Sequence, residues 1–444
     1  MIIHRVSHPQ TLQRRITMTT SKERTIVEVV NPICGGVDIH KESGISCILN
    51  SDGREHSILR EFTTFTDDLI QFRDWLLEHK CPVIAIESTG VYWHPVYNIL
   101  EGHVKVVLVN ARHIKNVPGR KTDIKDSEWL AGLLRYGLVK ASFIPPKEVR
   151  EWRDLTRTRR KYVHTLSDYK KRVQKLFETA NIKLDSVVSD LFGVTGRNLM
   201  SLLVSGHTNI TFEDIEQCVR GRLKSKTREL YRSIKGFFTE HHRLLLQTLL
   251  STIASQENTI ASLDQQIHQR MSVHQELIER MKEVPGISDV TARDIIAEIG
   301  TTLEAFPSDK ALARWCGLCP GNNESAGKRK NGKNYTSKNH IKPIMMEVAW
   351  AAARTKNTYY QDKYYRLKTR RGHNKAIVAI AHRIIQCLYY IIKDGVRYHE
   401  LGMDYLDKKT KKAKLSRLQK QAESLGYVLI PVSPSLDRGT EVER

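Results

Sequence analysis

Ile33-Cys-Gly-Gly-Val-Asp-Ile39 is a run of apolar and small residues holding a single carboxylate, Asp38, between Val37 and Ile39. It reads as a buried strand, where a carboxylate is costly unless it is paired or bound to a metal. Working outward, a turn around His40-Lys-Glu-Ser-Gly44 leads to a second strand, Ile45 to Leu49, and Arg54 to Phe62 reads as a third. The turns carry the Gly, Ser and Asp that hairpins need. From Thr66 to His79 the spacing of Leu69, Ile70, Phe72, Trp75 and Leu76 predicts a helix. Val83-Ile-Ala-Ile-Glu87 is a continuous apolar run, as in a central strand. Tyr92 to Leu100 reads as helix, Val104 to Val109 as strand and Asp123 to Arg135 as helix.

Three strands in a meander followed by alternating helix and strand is the order of an RNase H-like α/β domain. In such a sheet the first and fourth strands are neighbours and a later helix covers their ends. Glu87 ends the fourth strand before the turn Ser88-Thr-Gly90, while Asp123 and Asp126 stand three apart on a helix and so share a face. Asp38, Glu87, Asp123 and Asp126 are therefore expected to converge. Four like charges at one point make sense around divalent cations, and Mg²⁺ takes carboxylate oxygens while leaving positions for water and phosphate. Two such ions serve phosphodiester chemistry. Plainer readings stand beside this one: Asp123 as a helix cap, Asp126 as a first-turn residue, Glu87 as an arginine partner. Asp38 is the hardest of the four to explain structurally.

The 444 residues carry 71 Lys and Arg against 49 Asp and Glu, a net charge of +22, which suits a polyanionic partner. Ala376 to Ile392, the most apolar stretch, is broken by His382 and Arg383 and reads as a buried helix, so no membrane role is expected. Seven scattered cysteines suggest reduced thiols in a cytoplasmic setting. Residues 1–30 read as a basic, disordered arm without a signal-peptide core, and Met18 is an alternative start. The α/β domain is expected over 31–146 and a helical region over 147–282. Within it Leu246, Leu249, Ile253, Ile260, Leu263 and Ile267 form a heptad seam with Gln256 in its gap. A coiled coil between chains is the first expectation, and packing inside the chain's own bundle the second. A second helical domain spans 283–400, opening on Val284-Pro-Gly-Ile-Ser288, which reads as a helix-hairpin-helix or a plain connection. Residues 401–444 read as a basic, mobile tail.

Further motifs make the sequence resemble a known family. Val37-Asp-Ile-His-Lys41, Ile86-Glu-Ser-Thr-Gly90 with Tyr92, and Lys121-Thr-Asp-Ile-Lys-Asp126 are similar to motifs of the DEDD transposases. These are the recombinases of the one-ten and eleven-eleven insertion sequences. Val284-Pro-Gly-Ile, Trp315-Cys-Gly-Leu-Cys-Pro320 and Ser325-Ala-Gly-Lys328 look like that family's second domain, and the longer segment around Ser325 to His340 leans toward the eleven-eleven branch. The resemblance runs from about Ile33 to Gly395, with Ser127 standing where an alanine often follows the last acid.

The resemblance implies a RuvC-like domain whose acids, here Asp38, Glu87, Asp123 and Asp126, bind Mg²⁺, two ions to a site. It implies that Ser325 is the nucleophile of a covalent 5′-phosphoserine step. It implies a bridge RNA, encoded by the element, that guides the enzyme to donor and target DNA. It implies a homo-oligomer, dimer or tetramer, with active sites shared between subunits, working in the cytoplasm and on the nucleoid. Local chemistry agrees, because the segment from Pro320 to Lys333 reads as a mobile basic loop able to lay a serine against a phosphate. Lys41, Arg112, Arg157, Arg160, Lys171, Lys328, Arg329, Lys330, Arg370 and Arg371 are the candidate nucleic-acid contacts. Tyr359, Tyr360, Tyr364 and Tyr365 interleave with cations, as for base stacking or as a helix burying its aromatics. Cys316 and Cys319 lack a second pair at zinc spacing and read as core. The competing functions are a RuvC-like junction-resolving nuclease using water, and a non-catalytic nucleic-acid-binding protein whose acids are relics.

Overall fold

The computed structural model describes residues 28–51, 55–88, 90–110, 123–206, 210–320, 323–325, 328–331 and 339–430; of 51, 55–56, 123–125, 323–325 and 328–331 the backbone alone is described. The chain forms two units, Met1–Ile144 and Pro145–Arg444.

In the first unit β1 (Cys34–Ile39), β2 (Ser43–Ser51) and β3 (Glu55–Thr63) form an antiparallel meander. Then follow α1 (Thr66–Glu78), β4 (Val83–Glu87), α2 (Trp93–Leu100), β5 (Lys105–Val109) and α3 (Asp123–Arg135). The strand order is β3-β2-β1-β4-β5, with β4 parallel to both β1 and β5. The first and fourth strands are thus neighbours, as the sequence reading requires. Alternation along the strands supplies two cores. Val37, Ile39, Ile84, Ile86 and Leu108 face one way, onto Leu69, Phe72 and Leu76 of α1 and Val96 and Leu100 of α2. Cys34, Val83, Ala85, Val107 and Val109 face the other way, onto Leu130 and Leu134 of α3. The sheet is therefore covered on both faces.

Among the described residues the second unit is helical apart from one small hairpin. Its frame is a pair of long helices, α4 (Lys147–Thr179) and, later in the chain, α9 (Glu240–Arg270). Ion pairs link Glu151 to Arg270, Arg159 to Asp264 and Lys170 to Glu257, so the helices run antiparallel. Between them come α5 (Leu184–Val187), α6 (Val194–Val204), α7 (Phe212–Cys218) and α8 (Thr227–Ser233). Leu246 and Ile253 of the heptad seam are buried in one core with Val173 and Phe177 of α4 and Leu199 and Met200 of α6. The expected coiled coil is therefore closed within the chain: the seam finds its partner in the chain's own α4.

The chain continues through α10 (Gln275–Lys282), α11 (Asp289–Ile299), α12 (Asp309–Trp315), the hairpin of β6 (Asn323–Ser325) and β7 (Lys328–Asn331), α13 (Ile341–Arg354), α14 (Tyr359–Arg371), α15 (His373–Asp394) and α16 (Tyr405–Ser424). The expected boundary at 282–283 does not divide the fold, because α4 packs on α11 as well as on α9. Among the described residues α15 is the one helix long and apolar enough to cross a membrane by length and composition. Its Ile377, Ile380, Ile384, Ile385 and Leu388 are buried in the unit. The expected mobile tail is helical from Tyr405 to Ser424, tied to α14 by Arg366 and Asp407 at 2.7 Å.

Candidate active site

Cys34, Gly36 and Asp38 share the α3 face of β1, and Val83, Ala85 and Glu87 share that face of β4, since alternate residues point the same way. The parallel register pairs Gly36 with Ala85 and Val37 with Ile86. One step further along sets Asp38 beside Glu87, at the carboxyl ends of adjacent central strands. Asp38 is 14% exposed, and the ring of His40 lies 3.5 Å from its carboxylate. Glu87 is half-buried.

Helix α3 runs antiparallel to β1, and three contacts fix its register. The side-chain amide of Asn31 donates to the Leu134 carbonyl at 2.7 Å, and the Cys34 thiol to that of Ala131 at 3.5 Å. At Gly36 an added Cβ would stand 2.1 Å from the Ser127 carbonyl oxygen, so only glycine lets the helix come this close. Two strand residues beyond Gly36, a rise of about 6.6 Å, lies Asp38. The same distance along a helix is about four residues, which leads from Ser127 to Asp123. The first turn of α3, with Asp123 and the half-buried Asp126, thus heads toward the strand ends that carry Asp38 and Glu87. Among the described residues no three His, Cys, Asp or Glu side chains are gathered as for a metal; the side chain of Asp123 lies outside them. What the site offers is hard carboxylate oxygen, the donor type Mg²⁺ takes.

The cysteines supply no such chemistry. Burial pushes the thiol of Cys34 up to about 11 and those of Cys47 and Cys81 to about 12, far from the thiolate a metal would need. Burial likewise raises Cys316, and all seven cysteines are free.

Ser325 ends β6 and pairs with Lys328 at the start of β7, so part of the expected loop is a strand pair. The segment's ends are held together by Asn339, whose side-chain amide donates to the Trp315 carbonyl at 2.7 Å while its oxygen accepts from the Ile341 amide at 3.2 Å. His340, next to it, has its pKa lowered by burial and by Arg157, Arg160 and Arg153, with Glu298 opposing. Sequence reasoning missed both residues, which carry no motif of their own.

The candidate nucleic-acid contacts fall into three groups. Arg157 grips Glu298 through two hydrogen bonds of 2.7 and 2.8 Å, and Arg160 bonds Asp294 at 3.2 Å and also Glu347. Both therefore tie α4 to α11, and Arg160 also ties it to α13. Lys41, Lys171, Arg370 and Arg371 are exposed, Lys171 beside Asp168 at 3.1 Å. Arg112 lies outside the described residues, as do the side chains of Lys328, Arg329 and Lys330.

Two other motifs take structural roles. Tyr360 and Tyr364 are buried, which favours the helix-burying reading, while Tyr365 is exposed. The turn at Gly286 (φ +88°) packs against α13, where an added Cβ would lie 2.4 Å from the Val348 carbonyl oxygen. That turn therefore acts as a helix connection, capped by Ser288.

A mixed sheet with carboxylates at its central strand ends, followed by a helical unit, is consistent with an RNase H-like DEDD domain joined to a helical domain. Two family models match the chain: that of the DEDD transposases of IS110 type, described as a transposase, over residues 35–182, and the transposase IS116/IS110/IS902 family over residues 278–366. The chain belongs to the IS110 family of DEDD transposases. The matches do not separate the one-ten from the eleven-eleven branch. No curated protein matches the chain.

Proposed function

We propose that the protein is an RNA-guided, Mg²⁺-dependent DNA transposase, its RuvC-like first unit supplying the acids and its second unit the nucleophile Ser325. The observation that carries this reading is the register setting Asp38 beside Glu87 under the first turn of α3. In this reading Asp38, Glu87, Asp123 and Asp126 hold two Mg²⁺. Bound there, the metal supplies charge neutralisation at the phosphate and lowers the proton affinity of an attacking oxygen.

The serine hydroxyl oxygen attacks the scissile phosphorus, forming a serine–phosphate ester on the 5′ side and breaking the bond to the 3′ oxygen. The serine proton leaves to a base or water, and the departing 3′ oxygen takes one up. Lys328, Arg329 and Lys330, beside Ser325 in sequence, would neutralise charge as that bond breaks. A bridge RNA would pair with donor and target DNA, and the exposed Lys171, Arg370 and Arg371 are proposed phosphate contacts. A dimer or tetramer sharing active sites, acting in the cytoplasm on the nucleoid, completes the proposal.

Ser325→Ala tests it against the resolving nuclease. The transposase reading expects loss of excision and of any protein–DNA adduct trapped on a suicide substrate. Full cleavage by the variant would establish water as the nucleophile.

A further inference from the structure

Helices α14, α15 and α16 of the second unit bring three cations to one place. The Tyr360 hydroxyl bonds the Cys387 thiol, and that of Tyr364 meets the His373 ring at 2.7 Å, so α14 and α15 run antiparallel. Lys363, three residues on from Tyr360, thereby comes opposite Arg383, four residues back from Cys387. On the other flank the rings of Tyr359 and Tyr405 pack edge-on at 5.8 Å. One turn further along each of those helices stand Lys363 and Lys409. Lys363 is half-buried, and its ammonium donates to the Tyr359 hydroxyl at 2.7 Å. That hydroxyl, having accepted, has its own proton left for a further acceptor. Arg383 and Lys409 are exposed, and Arg383 donates to Gln386 at 3.3 Å.

The carboxylates nearby are engaged elsewhere. Asp362 and Asp407 both accept from Arg366. Glu400 accepts from the amides of Tyr359 and Gly402 and from the Tyr398 hydroxyl, each at 2.8 Å, and Asp309 accepts from Gln386. Among the described residues none of the three cations has a carboxylate partner. Their mutual repulsion is felt: burial, with Arg383 and Lys409 adding to it, lowers the pKa of Lys363 to about 8. The other titratable groups around it are Tyr359 and His382; burial, Arg383 and Lys363 lower the pKa of His382 against the pull of Asp309. Like charges gathered from three helices call for an anion between them. Donors arriving from three directions suit the several oxygens of a phosphate better than a flat carboxylate.

We propose that Lys363, Arg383 and Lys409, with the Tyr359 hydroxyl, hold one phosphate group of a nucleic-acid strand. The strand as source rests on the nucleic-acid reading above; the demand for an anion does not.

The test uses the full chain, with single-stranded oligothymidylate and inorganic phosphate as probes. The first readout is the slope of log affinity for the oligothymidylate against log salt. Arg383→Gln and Lys409→Gln together, both changes at exposed positions, should reduce that slope by about 0.7, the share of one phosphate on a single strand, at an unchanged melting temperature. The second readout is the pKa of Lys363, taken from the pH dependence of its acetylation by mass spectrometry. A phosphate seated there favours the ammonium and should move that value up toward the ordinary 10.5. A strand that merely covers Lys363 would slow labelling at every pH without moving it. An upward move with the oligothymidylate alone supports the strand as source. An equal move with inorganic phosphate at the same concentration assigns a free ion and overturns that source. An unmoved Lys363, or a salt slope unchanged in the double variant, overturns the site. Both readouts are taken without divalent metal, so failure of the catalytic reading leaves them intact.

Discussion

Asp294 shows at the scale of one residue how this protein handles buried charge. It sits on α11 against Arg160, and burial, exceeding the pull of Arg160 and Arg159, pushes its pKa up to about 6 from an ordinary 3.8. The folded chain then holds a proton between about pH 4 and 6 that the unfolded chain has released. Stability is expected to fall as pH rises through that window, by about 3 kcal/mol for a shift of this size, and to be flat above it. Urea unfolding from pH 4 to 7 checks this, with Asp294→Asn expected to remove the slope. Arg157 and Arg160 teach the same lesson from the other side. Their place in the basic run Arg157-Thr-Arg-Arg-Lys161 suggests phosphate binding, yet their carboxylate partners lie more than 130 residues away on α11. The readable signal was in α11 itself, where Arg293, Asp294 and Glu298 interrupt the otherwise apolar buried stretch from Ala292 to Ile299. Charges in such a setting require partners.

At the scale of elements, α3 and β1 decide whether the acids meet. Gly36→Ala would drive a methyl group into the Ser127 carbonyl, at 2.1 Å, and the Ala131 amide, at 2.5 Å. Overpacking of this kind costs about 1–3 kcal/mol, and lifting α3 also draws Asp123 and Asp126 away from Asp38. The expected outcome is a folded protein with excision lost, checked by circular dichroism beside an excision assay. The elements from β1 to α3 were legible in the sequence to within a residue or two, because each strand or helix shows its period in a short apolar run. The seam of α9 was legible too, but not its partner. A row of leucines and isoleucines demands an apolar surface without saying whose, and α4 hides its matching face among arginines. Helix α16 was missed for the opposite reason: it buries no residue, so its sequence lacks an apolar period.

For the whole molecule, the +22 charge gathers notably on α16, where Lys408, Lys409, Lys411, Lys412, Lys414, Arg417 and Lys420 follow one another on an exposed helix. Chains ending at Gly402 should bind nucleic acid more weakly, with a shallower dependence of log affinity on log salt. A salt titration of binding by both forms reads this directly, and an unchanged slope would remove α16 from the interface. The catalytic account rests on a smaller area, the carboxyl ends of β1 and β4 beneath the start of α3. The most direct measurement is Mn²⁺ binding followed by electron paramagnetic resonance, with uncut DNA present, for the full chain and for Asp38→Asn. The account predicts bound Mn²⁺ in the parent that is lost in the variant at an unchanged melting temperature. Equal binding by both proteins would contradict it.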